Sequence, residues 1–145
     1  MAFRFSLAAV LGFRESIEKR EELALQKIVF EIARTHHQIE QLSVDIAVAQ
    51  QEINKALQQP LPAFHLQTML SRVDGIVDRK KALVESLVAL EQQRANQMNS
   101  YYAAHRERRT LTDMETRQRD AYDLERTKAE QKFVDDLFGA RAQRG

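Results

Sequence analysis

Histidines and adjacent carboxylates are the side chains here that could bind a metal ion or transfer a proton. The four histidines are His36, His37, His65 and His105. His36 and His37 are consecutive, so on a helix their side chains point about 100° apart and cannot share one ion by themselves. The acid pairs Glu21–Glu22 and Asp135–Asp136 are typical of solvated helix surfaces. No HExxH, glycine-rich phosphate loop or Walker lysine motif occurs. The sequence therefore predicts no catalytic residue, no cofactor and no metal site, and we expect the protein not to be an enzyme.

The elements that would carry these residues are indicated by apolar side chains at alternating spacings of three and four. In the first half of the chain the row is Leu25, Ile28, Ile32, Thr35, Ile39, Leu42, Ile46, Ala49, Ile53 and Ala56. After residues 59–62 it resumes with Met69, Val73, Ile76, Leu83, Leu87 and Leu90, with Lys80 and Arg94 at seam positions. This heptad spacing is typical of a helix that packs along one narrow seam. The chain is therefore predicted to contain two long helices and no globular catalytic domain.

The boundaries follow from capping and helix-breaking residues. We predict a first helix over about 6–58 with Ser6 as its N-cap, and a turn over about 59–62, where Pro60 and Pro62 stop the helix. The second helix is predicted over about 63–138, with Gly139 as its C-terminal stop. A connection this short favours antiparallel neighbours. The expected fold is all-α, a long antiparallel two-helix coiled-coil hairpin forming a single domain over residues 1–145.

Two details of the predicted pairing concern the first helix and its register. The early seam contains a stutter, because the steps from Ala24 to Ile28 to Ile32 are two consecutive fours. Its predicted positions are Leu7, Val10, Arg14, Ile17, Glu21, Ala24 and Ile28. If the helices meet at the turn, the numbers of paired residues add to about 123. Residues beyond about Asp120 would then extend past the first helix as a single helix.

Composition excludes several functional classes. Charged residues make up 30% of the 145, both signs are interspersed, and the formal net charge is +1. This balance disfavours nucleic-acid binding, which needs a net basic face. The absence of cysteine excludes disulfides. The apolar run after Arg4 is cut off by Arg14 before any cleavage site, so we expect a soluble, unprocessed protein without direct membrane insertion.

Apolar residues beside the seam indicate a surface near the turn. Between Leu66 and Leu90 the apolar stripe of the second helix is wider than a two-helix seam can cover. The candidate partner-binding residues are Val44, Val48, Leu66, Leu70, Val77 and Val84. The stripe has three interpretations: flanking residues that a hairpin tolerates, a dimer face, or a surface for another protein.

The two ends of the chain carry a family resemblance. Phe3-Arg4-Phe5-Ser6-Leu7, followed by Val10-Leu11 and Arg14-Glu15, resembles the opening of the flagellar export protein FliJ and its relatives. Leu111, Glu115, Arg119, Tyr122, Glu125-Arg126 and the run from Glu130 to Phe138 are similar to that family's C-terminal segment. Helix order and turn position agree over essentially the whole chain. One departure is Thr112, where many members carry Glu.

The resemblance implies a non-enzymatic stalk in the flagellar type III export apparatus. FliJ-like hairpins are placed in the central hole of the hexameric export ATPase, reach toward the cytoplasmic domain of the membrane export gate, and escort substrate-specific export chaperones. The gate would contact the residues beside the seam near the turn. The candidate ATPase-ring residues are Phe3, Phe5, Leu7, Gln131, Lys132, Phe133, Asp135, Asp136 and Leu137. The implied location is cytoplasmic, peripheral to the inner membrane through the apparatus. The alternatives are a structural coiled-coil oligomeriser and an adaptor or chaperone unrelated to export.

Overall fold

In the computed structural model, which describes residues 2–144, the chain forms two α-helices, α1 (Ala8–Ala56) and α2 (Ala63–Arg144). The described range contains no strand, and the contacts between the helices are those of a two-helix hairpin, which confirms the predicted fold class. The chain divides into two compact units. We call Met1–Glu21 with Tyr101–Gly145 the terminal unit, and Glu22–Ser100 the turn unit.

The turn between the helices lies where the prolines predict it. Beyond the end of α1, the backbone N–H of Leu57 donates to the carbonyl oxygen of Ile53 at 3.0 Å. The chain therefore forms one further turn between α1 and Pro60. The carbonyl oxygen of Pro62 then accepts from the N–H of His65 at 3.0 Å and opens α2. Proline has no N–H to donate, which suits the position just before a helix, where the first N–H groups have no helical acceptor.

The C-terminal end of α2 differs from the prediction. We expected Gly139 to stop the helix at Phe138, but α2 continues through Gly139 to Arg144. A glycine ends a helix when it adopts a positive φ, and no glycine in residues 2–144 does so. Helical glycine costs about 1 kcal/mol relative to alanine, which weakens the helix there without breaking it. At the other end, α1 begins at Ala8, just after a turn at residues 6–7.

The seam of the turn unit follows the predicted heptad row. All ten predicted positions on α1 are buried or half-buried, and Ile32, Ala49 and Ile53 are among the most buried side chains. Thr35 is buried too, because its hydroxyl donates to the carbonyl oxygen of Glu31 at 2.8 Å and leaves its methyl group for packing. From α2, Ile76 contributes the corresponding buried side chain. The periodicity of the sequence was therefore sufficient to locate this core.

The early part of α1 departs from the predicted seam at Val10. Leu11 is 8% exposed and Val10 is 42% exposed, so the buried row begins one residue later than apolar content indicated. From Leu11 the half-buried positions Arg14, Glu18 and Glu21 continue the three–four alternation directly into Leu25. The predicted positions Ile17 and Ala24 are half-buried as well, so this part of the seam is a broad band.

Candidate partner-binding surfaces

The terminal unit is held in register by contacts between the start of α1 and the middle of α2. Arg14 forms an ion pair with Glu107, and Glu18 Oε1 lies 3.0 Å from His105 Nδ1. Just before α1, the ring of Phe3 lies 5.6 Å from that of Tyr122, measured between centroids. Each pair falls within two residues of the predicted sum of 123. Within this unit the antiparallel register was predicted correctly.

A polar cluster occupies the seam of this unit. The guanidinium of Arg108 donates to both carboxylate oxygens of Glu18, through Nε at 2.5 Å and through Nη2 at 3.5 Å. Its Nη1 donates to the hydroxyl of Thr112 at 3.2 Å, and His105 stacks on Tyr101. Sequence reasoning missed this cluster, although the predicted register places Glu18 opposite His105 and Arg108 lies one helical turn further along α2. Thr112 stands where many members of the resembled family carry Glu, and here its hydroxyl helps to orient Arg108.

The cluster shifts the ionisation of both partners. The hydrogen bond from Arg108 lowers the pKa of Glu18, burial opposes that shift, and the hydrogen bond with His105 adds to it. The hydrogen bond with Glu18 in turn raises the pKa of Arg108. Both side chains are mostly covered, with 16% of Glu18 and 23% of Arg108 exposed. The cluster is therefore an ionised cross-helix contact that fixes register, and its chemistry is that of a structural ion pair.

We expect Glu18→Gln to make thermal stability depend less on pH between pH 7 and pH 3. Because folding lowers the pKa of Glu18, its stabilisation is complete above the unfolded value near 4.5 and is lost as pH falls below it. At pH 7 the variant should lose about 1 kcal/mol, a screened value for a partly exposed pair. Thermal melts of both proteins between pH 7 and pH 3 should converge at the acid end. Glu40→Gln, at an exposed site on α1, is the control. Parallel curves for wild type and Glu18→Gln would contradict this role.

The three N-terminal residues proposed for the ATPase ring pack within the terminal unit instead of projecting from it. Phe5 is 8% exposed, and Phe3 and Leu7 are half-buried. Phe3 contacts Tyr122, and the guanidinium carbon of Arg119 lies 5.3 Å from the centroid of its ring, a cation–π contact. These residues anchor the chain before α1 onto α2.

The C-terminal part of α2 is a free surface. Every side chain from residue 123 to residue 144 is exposed. This segment includes the other six proposed ring residues, Gln131, Lys132, Phe133, Asp135, Asp136 and Leu137. Its apolar side chains Phe133, Val134, Leu137 and Phe138 are between 45% and 66% exposed. Phe133 and Leu137 were among the proposed ring residues, and Val134 and Phe138 extend them to four large apolar side chains in two helical turns.

The six residues proposed for the gate do not form one patch. Leu66 is half-buried in the seam, and the other five are between 42% and 56% exposed. Leu70, Val77 and Val84 recur every seven residues, each one position after a seam residue of α2, so they form a continuous stripe on one flank. We call these three residues the apolar stripe. Val44 lies on the outer side of α1, two residues from the seam positions on either side of it.

Val48 belongs to the opposite flank of the turn unit. It lines a groove of about 320 Å³ with the acidic residues Asp45 and Glu52 of α1 and with Arg72 and Arg79 of α2. Arg72 and Arg79 each precede a seam residue by one position, whereas the residues of the apolar stripe each follow one. This flank is polar, with acids facing arginines. The two flanks of the turn unit therefore suit different partners.

No group of His, Asp and Glu side chains among residues 2–144 is arranged to hold a metal ion. Within the same residues, no helix is both long enough and apolar enough to cross a membrane.

Two long helices packed by heptads, with a structural polar cluster and exposed apolar surfaces, define a coiled-coil interaction protein. The family described as "Flagellar FliJ protein" matches residues 3–145. Because the match covers essentially the whole chain, the protein belongs to the FliJ family and is a component of the flagellar export apparatus. No curated protein and no solved structure gives a significant match.

Proposed function

We propose that this chain acts as one helical hairpin over residues 1–145 that links the hexameric export ATPase to the cytoplasmic domain of the export gate. It catalyses no reaction itself. The C-terminal segment of α2 enters the ATPase ring, and the apolar stripe near the turn binds the gate. Escort of substrate-specific export chaperones belongs to the same proposal. The protein would work in the cytoplasm, held at the inner membrane by the apparatus.

The apolar stripe is the observation that carries the gate assignment. Three aliphatic side chains at heptad spacing remain over 40% exposed, although a two-helix seam runs beside them. Exposed apolar stripes bordered by polar residues are typical of protein-binding surfaces. Family membership supplies the gate as the partner to test.

The C-terminal segment supports the ring assignment. Because no residue from 123 to 144 is covered by α1, this end of α2 is available to a partner along its whole circumference. A single helix is also the element that fits a narrow central hole. Its charges alternate in sign, with Lys128, Glu130 and Lys132 in succession along the helix. Such a helix is marginal alone and would gain stability from a surrounding partner.

We expect Leu70→Ser with Val77→Ser to weaken binding to the gate's cytoplasmic domain at least tenfold, because each fully buried aliphatic side chain is worth about 1.5–3 kcal/mol. Both side chains are exposed in the free protein, so helicity should stay unchanged. Calorimetric titration with the purified gate domain measures the effect. Val48→Ser, on the opposite flank, is the matched control. Unchanged gate binding by the double variant with full helicity would refute the assignment and favour a structural role for the stripe.

A further inference from the structure

The exposed apolar residues near the end of α2 are arranged symmetrically in the sequence. Residues 133–138 read Phe-Val-Asp-Asp-Leu-Phe, with large apolar side chains on both sides of a central acid pair. On a helix, positions three and four apart share a face. Phe133, Val134, Leu137 and Phe138 therefore form one apolar face. We call these four residues the apolar quartet.

This symmetry matches the geometry of two identical helices running antiparallel. A two-fold axis between Asp135 and Asp136 would place Phe133 against Phe138 of a second copy, and Val134 against its Leu137. A two-fold interface uses the same patch on both subunits, so the patch must be self-complementary. The apolar quartet meets this requirement. Asp135 and Asp136 point away from the face and would remain in solvent.

The charges that border the apolar quartet obey the same symmetry. Arg141 lines a shallow surface depression with Val134, Leu137 and Phe138, so it lies on the apolar face. Glu130 lies four residues before Val134, at the other end of that face. The same axis pairs Glu130 of one copy with Arg141 of the other, twice per interface. In the single chain Glu130 contacts Arg126 at 3.2 Å. This exposed ion pair contributes little to stability, so Glu130 can leave Arg126 for Arg141 of the second copy.

We infer that the C-terminal segment of α2 pairs with a second copy of this chain, antiparallel and centred between Asp135 and Asp136. The interface is a single short helix pair, at the small end of specific interfaces, so the dimer is weak and depends on concentration. Since the proposed function assigns this segment to the ATPase ring, the ring and the second copy would compete for it. Self-association can fail its test without affecting the ring assignment, because it is measured without the ATPase.

Sedimentation equilibrium of the full chain tests the pairing. Between about 5 and 300 µM, the range suited to a weak interface, the average mass should rise from the monomer value of 16.8 kDa toward twice that value. Phe133→Ser with Phe138→Ser should raise the dissociation constant at least tenfold. Phe30→Ser with Phe64→Ser removes two rings elsewhere that are at least as exposed, and should leave association unchanged. A monomer at every concentration, or association that survives loss of Phe133 and Phe138, would overturn the inference.

A charge exchange tests the register of the pairing. Glu130→Arg alone and Arg141→Glu alone should each weaken association severalfold, because like charges would face each other twice. The two changes together should restore association to near the wild-type value. Circular dichroism checks that helicity is equal in all variants. An exchange variant as weak as the single variants would show that these residues do not face each other, and would refute the antiparallel two-fold arrangement.

Discussion

Truncation after Thr127 is expected to abolish stimulation of the export ATPase while leaving the rest of the hairpin folded. The segment removed carries the large exposed apolar side chains of the C-terminal surface except Leu124, and none of residues 128–144 is covered by α1. The contact between Phe3 and Tyr122 remains, as does the cluster around Glu18. The melting temperature should therefore fall by no more than a few degrees, because only exposed helix is lost.

ATP hydrolysis at saturating stalk concentration, with the truncated and full-length proteins side by side, measures this effect. The same preparations should bind the gate domain equally well, since the apolar stripe is untouched. The full chain carrying Asp135→Asn and Asp136→Asn is a useful comparison, because it keeps the apolar quartet and removes two exposed charges. A truncated protein that stimulates the ATPase normally would refute the assignment of the C-terminal segment to the ATPase ring.

Salt dependence separates the two kinds of contact available to this segment. Its alternating charges favour polar contacts, which salt weakens steeply. The structure adds four exposed apolar side chains on one face, and apolar burial is not screened by salt. We therefore expect stimulation to weaken with salt but to retain a component that Phe133→Ser with Leu137→Ser removes.

The sequence was sufficient for the features that depend on periodicity and on helix-breaking residues. Heptad spacing located the buried row from Leu25 to Ala56, and Pro60 with Pro62 located the turn. The antiparallel register followed from the turn position. Each of these features is set by neighbouring or regularly spaced residues, so a single sequence is enough to predict it.

What could not be predicted depends on which charged residues meet across the seam. Arg14 was predicted on the seam but Glu18 was not, because the sequence does not show that Arg108 satisfies its carboxylate. The pairing of Arg14 with Glu107 was likewise not predicted. The gate residues were grouped because all are aliphatic and near the turn. Their division between two flanks required the position of each residue relative to the seam.

The seam of the turn unit makes the strongest prediction about stability. Ile53→Asp should lower the melting temperature by roughly 15 °C or more, because Ile53 is 8% exposed and its loss combines two penalties. The aliphatic side chain contributes about 1.5–3 kcal/mol of apolar burial, and an unpaired carboxylate in its place adds several kcal/mol more. That sum is a large fraction of the 5–15 kcal/mol typical of a folded domain.

Two variants at or beside this position separate the causes. Ile53→Val keeps the side chain apolar and should cost only about 0.5–1.5 kcal/mol. Asn54→Asp introduces the same charge at the next residue, where the side chain is exposed, and should change stability by less than about 0.5 kcal/mol. Thermal melts followed by circular dichroism rank the three. If Ile53→Asp melted within a few degrees of wild type, Ile53 would not lie in the seam in solution. The heptad row predicted for α1 near the turn would then be wrong.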